Sequence, residues 1–114
     1  MFDCTFLDKF GNKLEVLTQW DINQTIYIKD SGFTIAPQFH FCNRRSEIAL
    51  VVPSELKNDG TIVVPIPNQL IIEPYMITVY VYLLEDNHGK TIDVIKLPVR
   101  QRPQPDNFVY EENI

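Results

Sequence analysis

The residues that could do chemistry in this 114-residue chain are few and scattered. His40 and Cys42 form an HxC pair, and Cys4 and His88 are the other soft-metal ligands. A structural zinc takes four ligands at recognisable spacing, which one HxC pair does not supply, so neither metal nor cofactor is expected. Nucleophilic catalysis needs a nucleophile, a base and an orienting group brought together. Ser31, Ser46 and Ser54 all lie in turn-forming sequence, and none has the glycine pattern of a nucleophile elbow. The carboxylate pairs Glu85-Asp86 and Glu111-Glu112 are sequence neighbours, so on an extended chain they point to opposite sides. No glycine-rich loop could hold a phosphate. The expectation is a protein that is not an enzyme.

Binding is better represented than catalysis. Tyr80 and Tyr82 share one face of an extended run, and with Trp20 they are candidate glycan-stacking residues. Tyrosines on a central strand also serve as packed rings with the hydroxyl at the rim. Burying the Trp20 indole is favourable when its N–H finds a partner, which predicts a carbonyl beside it at an edge of the fold. The second candidate is the end of the chain. After Val99 the alternation stops, and RQRPQPDNFVYEENI reads as a stiff proline-spaced arm carrying Phe108, Val109 and Tyr110. Apolar residues on such an arm dock either on their own domain or on a partner. Arg102, Phe108, Val109 and Tyr110 are therefore the candidate partner-binding residues. A domain over residues 1–102 and an arm over 103–114 follow from that change in composition.

Charge and cysteine usage narrow the partners. A net charge of −5 with only two short basic clusters, at Arg44-Arg45 and Arg100-Gln101-Arg102, argues against nucleic acid. Cys4 and Cys42 fit no CxxC pattern; a disulfide between them is left open, with buried thiols preferred. The N-terminus carries acids and lacks the apolar core of a secretion signal, so synthesis in a cytoplasm is expected. No apolar run approaches the roughly 20 residues needed to cross a bilayer, and no membrane partner is expected.

Short strands must position these residues. From Ile77 to Leu83, Ile77, Val79, Val81 and Leu83 alternate with Thr78, Tyr80 and Tyr82, the pattern of a central strand. Period-two runs also predict strands at Phe2–Phe6, Lys13–Thr18, Thr25–Lys29, Phe33–Cys42 broken at Pro37, Glu47–Val52 with Ile48, Leu50 and Val52 on one face, and Thr61–Ile66. Lys90–Val99 reads as a strand with a bulge between Val94 and Ile95. A single helical turn is expected over Pro53–Lys57, a helical turn or a strand over Pro67–Ile72, and a turn over Asp86–Gly89. Seven to nine strands at this spacing imply an all-β sandwich.

The order Gln19-Trp20-Asp21, Gln24-Thr25, Phe39-His40-Phe41, Val64-Pro65-Ile66-Pro67-Asn68, Leu70, Glu73-Pro74-Tyr75 and Val79-Tyr80-Val81-Tyr82 continues into Lys90-Thr91 and Val99 to Asp106. In that order and spacing the chain, from Lys13 to Tyr110, resembles the N-terminal β-sandwich module of bacteriophage baseplate upper proteins and related minor structural or tail-fibre proteins of phages of gram-positive bacteria. The resemblance implies an immunoglobulin-like antiparallel sandwich that attaches a fibre or receptor-binding component to the virion. Relatives continue beyond the position of Ile114 into a stalk or receptor-binding domain, so host recognition is not carried over. The expectation is a virion protein, decorating a capsid or filling a head-fibre, tail or baseplate joint. It would bind other phage structural proteins in multiple copies within a symmetric assembly. The alternative is a carbohydrate-binding module that contacts host cell-wall glycan through Trp20, Tyr80 and Tyr82.

Overall fold

A computed structural model describes residues 4–114 and is all-β apart from one helical turn. Three antiparallel strands form one layer: β2 (Thr25–Ile28), β6 (Ile62–Pro65) and β5 (Glu55–Leu56), with β6 in the middle. Four more antiparallel strands form the other, in the order β4 (Leu50–Pro53), β3 (Gln38–Cys42), β7 (Ile77–Glu85) and β8 (His88–Leu97). A third, parallel pair joins β1 (Leu17–Thr18) to β9 (Val99–Arg100). Helix α1 (Asn68–Ile71) connects β6 toward β7, and Pro67 supplies its N-cap with a fixed φ of −59°.

The core forms because alternate residues of both layers turn inward. Ile26, Ile28, Ile62 and Val64 from one layer join Phe39, Phe41, Val52, Ile77, Val79, Val81 and Leu97 from the other. Each full burial of such a side chain contributes about 1.5–3 kcal/mol, so the two matched faces hold the sandwich together. The run Ile77 to Leu83 is indeed interior, lying between β3 and β8, with Ile77, Val79 and Val81 wholly buried. Phe6 reinforces the core against Phe39, with ring centroids 6.0 Å apart.

Several expectations need correction. Residues 53–57 form no helical turn; Glu55 and Leu56 pair with Val63 and Ile62 as a two-residue edge strand. Ile48 is exposed, because the side chains of Asn43 and Ser46 extend the preceding turn and β4 begins only at Leu50. The bulge is not between Val94 and Ile95. Val81 faces Asp93 and Tyr82 faces Thr91, which leaves Ile92 as the extra residue. The turn after β7 is two residues long: Asp86 (φ 50°) and Asn87 (φ 63°) make the left-handed pair of a type I′ hairpin, and His88 and Gly89 already belong to β8. The strand expected over Lys13–Thr18 shrinks to a bridge at Lys13 and to β1. That over Phe33–Cys42 begins at Gln38, just past Pro37. Of the first expected strand, Phe2 lies outside the described residues, and Cys4 to Phe6 are not in a ladder.

Three of the four edges of the two layers are guarded. Leu7 exchanges two backbone hydrogen bonds with Tyr27 and covers β2. β5 is too short to template another strand. On β8, Asp93 lies opposite inward-facing Val81 and accepts a hydrogen bond from the Cys4 N–H, placing a carboxylate at the rim of the long edge strand.

Candidate functional site

Two surfaces collect the residues of interest. The first is where the C-terminal arm meets the sandwich. Gln19 begins it: its N–H donates to the Arg100 carbonyl, and its side chain spans from the Ile72 carbonyl to the Arg102 N–H. Trp20 follows in a left-handed conformation, φ 76°, which turns the indole toward the departing chain. Its Nε1–H donates to the Arg102 carbonyl at 3.2 Å, the partner that burying an indole requires. The Phe108 ring then meets the indole edge-on, with centroids 5.5 Å apart.

Beyond Phe108 the arm is pinned by Asn68, which is only 3 % exposed at the start of α1. The Asn68 backbone N–H donates to Asn113 Oδ1 at 2.7 Å, and its Nδ2 donates to the Glu111 carbonyl at 3.0 Å. Asn68 Oδ1 accepts the Asn23 N–H at 2.8 Å, and Asn113 Nδ2 returns a bond to the Ile66 carbonyl. A helix's first N–H groups have no partner within the helix, so an acceptor from elsewhere is favourable here. Tyr110 is half-buried; burial first, then the charges of Glu112 and Glu73, hold its hydroxyl above the usual phenol pKa. Val109 is left 79 % exposed.

A cleft of about 370 Å³ runs between this arm and Ile22, Asn23 and Asn68. A second, of about 420 Å³, is lined by Asp8, Lys9, Phe10, Leu14 and Ile22 to Gln24, among others, and shares Ile22 and Asn23 with the first. Ile22, 40 % exposed, lines both clefts, with Phe10 (77 % exposed) in the second and Val109 in the first. Together the two clefts carry Asp8, Glu111 and Glu112 against Lys9, an acidic balance.

The second surface is the outer face of the four-stranded sheet. Strand register places Val51, His40, Tyr80 and Val94 in one row across it, and Gln38, Tyr82 and Thr91 in the next. The His40 ring stacks on Tyr82 with centroids 4.7 Å apart, and its Nε2 lies 3.1 Å from Gln38 Oε1. Partial burial pushes the His40 pKa down. Tyr82 lies over Gly89, where a Cβ would fall 2.8 Å from its Cε2. The ring fills the space that the missing side chain leaves.

The structure therefore brings Trp20, Arg102 and Phe108 together, with Val109 and Tyr110 beside them. It does not bring Trp20, which lies in the turn after β1, to Tyr80 and Tyr82 on the four-stranded sheet. Asn68, Asn113 and Gln19 are the residues that sequence reasoning missed, since a polar side chain on a short turn carries no periodic signal. Cys4 is buried and Cys42 half-buried, with no disulfide between them, and Cys42 Sγ lies 3.9 Å from the Thr78 carbonyl. Among the described residues no group of three or more His, Cys, Asp or Glu is placed to hold a metal ion. None of the described helices is long and apolar enough to cross a membrane. Comparison with protein-family models, with curated proteins and with solved structures finds no match to this chain.

Proposed function

We propose that this chain is a non-enzymatic structural module of a bacteriophage particle. It binds neighbouring virion proteins, in capsid, neck or tail and baseplate, through the surface built where the arm lies on the sandwich. The observation that carries the reading is Val109. It is 79 % exposed on a segment that four hydrogen bonds hold in place, three at Asn68 and Asn113 and one from Gln69 to the Ile114 carbonyl. Ordering a segment costs conformational entropy, and a fixed, exposed valine across a cleft from Ile22 returns apolar burial only when a partner covers it. The resemblance of the ordered motifs from Gln19 to Asp106 to phage attachment modules points the same way. The acidic balance of the two clefts favours a partner surface with basic residues.

A Val109→Asp substitution tests this. The side chain faces solvent, so the variant should fold and melt like the parent, yet incorporate into phage particles at least tenfold less. Normal incorporation of a folded Val109→Asp chain would contradict the proposal. Deleting residues 103–114 is a poorer test, because it also strips Asn68 of its partners.

A second reading rests on the sheet face. The stacked His40 and Tyr82 rings with Gln38 and Tyr80 form an aromatic surface with polar groups, the chemistry of a sugar platform. Trp20 has no part in it. Binding on a glycan array that Tyr82→Ala abolishes would favour this reading over assembly.

A further inference from the structure

The last residues reach the sandwich as a hinge followed by a latch. Residues 103–107 form the hinge, exposed except at Pro105. One backbone bond closes it, from the Phe108 N–H to the Pro105 carbonyl at 3.3 Å, around Asn107 in the left-handed region at φ 56°. The latch is Phe108 on Trp20, the Glu111 carbonyl on Asn68, and Asn113 between Asn68 and Ile66. Every group that receives the latch belongs to the body of the sandwich, and none to the hinge.

That separation has a physical consequence. Opening the hinge gives up one backbone hydrogen bond, returns Asn107 to unstrained backbone, and removes no strand, since β9 ends at Arg100. Pro103 and Pro105 favour an extended linker once the turn is open. A latch arriving from a second copy would make the same contacts as the chain's own. We infer that residues 108–114 of one copy occupy the Trp20–Asn68 groove of another, so that copies are linked by exchanged arms. This rests on the reading of the arm as an attachment element and names a second copy of this chain as its partner. A short linker gives a chain's own latch an effective concentration on the order of millimolar. Dilute protein therefore stays closed, and exchange sets in where copies stand side by side in a symmetric array.

The single tryptophan makes exchange measurable. One full-length chain carries Trp20→Ala, which silences its fluorescence and weakens its own groove while leaving the latch intact. The other carries Phe108→Ala with Asn113→Ala, which disables the latch and leaves Trp20 as the only emitter. Circular dichroism checks that each is folded; Trp20→Phe, or Phe108→Ala alone, replaces a variant that is not. Adding the first chain to the second at up to about millimolar concentration should shift Trp20 emission to the blue and produce a heterodimer in sedimentation. Unchanged emission and two monomers would overturn the inference, as would an equal shift when the first chain also lacks its latch residues. Exchange in solution together with normal particle entry by Val109→Asp would remove the attachment reading and leave arm exchange standing. Loss of particle entry without exchange would do the reverse.

Discussion

Replacing Asn68 by Ala should unfasten the arm and weaken the domain together. Asn68 is 3 % exposed and its side chain makes two well-formed hydrogen bonds, with the Asn23 N–H at 2.8 Å and the Glu111 carbonyl at 3.0 Å. Each contributes about 1 kcal/mol net, and a donor left without a partner costs about 1–3 kcal/mol more. The Glu111 carbonyl lies on an exposed residue and can turn to water, so the penalty falls mainly on Asn23. Alanine returns about 0.5 kcal/mol in helix propensity. The balance is a loss of about 2.5–4.5 kcal/mol, or a fall in Tm of roughly 10–18 °C for a domain of this size. Denaturant unfolding followed by circular dichroism measures the loss. Trp20 emission in the native baseline reports the arm separately, because Phe108 leaves the indole when the latch opens. A variant within about 0.5 kcal/mol of the parent, with unchanged emission, would refute the role assigned to Asn68.

Three further outcomes follow from other parts of the fold. Gly89→Ala should destabilise by about 1–3 kcal/mol despite alanine's better strand propensity, because its Cβ displaces the Tyr82 ring and with it the His40 stack; a stable variant would mean that the ring moves freely. Asn87→Gly should stabilise by about 0.5–1 kcal/mol, since Asn87 holds φ 63° at the hairpin turn where glycine carries no steric cost, and a thermal melt reads the gain. Because burial lowers the His40 pKa in the folded state, the unfolded chain takes up the proton first. Its stabilising contribution is present above the ordinary imidazole pKa of about 6.5 and is lost as pH falls below it; His40→Gln should flatten that part of a pH–stability profile, and an unchanged slope would contradict the assignment.

The sequence made the layers legible and the arm's docking only half so. Period-two alternation located β2, β3, β6 and β7, because each buries one face against a single core. It failed at β5, where two residues cannot display a period and pairing with β6 alone makes them a strand. It misplaced the bulge because an extra residue at Ile92 and a change of facing further on produce similar patterns, and only the partner strand distinguishes them. A carbonyl beside the Trp20 N–H followed from the chemistry of indole; that Arg102 provides it depends on the parallel pairing of β1 with β9. The Asn68–Asn113 latch had no signature at all, being a tertiary meeting of a backbone N–H with a side chain 45 residues away.

The central claim is that the arm-built surface is the one partners cover. Hydrogen exchange compared between the isolated chain and the same chain in assembled particles tests it most directly. New protection is expected at residues 108–112, at residues 21–24 and around Phe10, with the outer-face edge strands β4 and β8 unchanged. New protection confined to β4 and β8, with the arm exchanging as fast as in the isolated chain, would contradict it and move the interface to the His40–Tyr82 face.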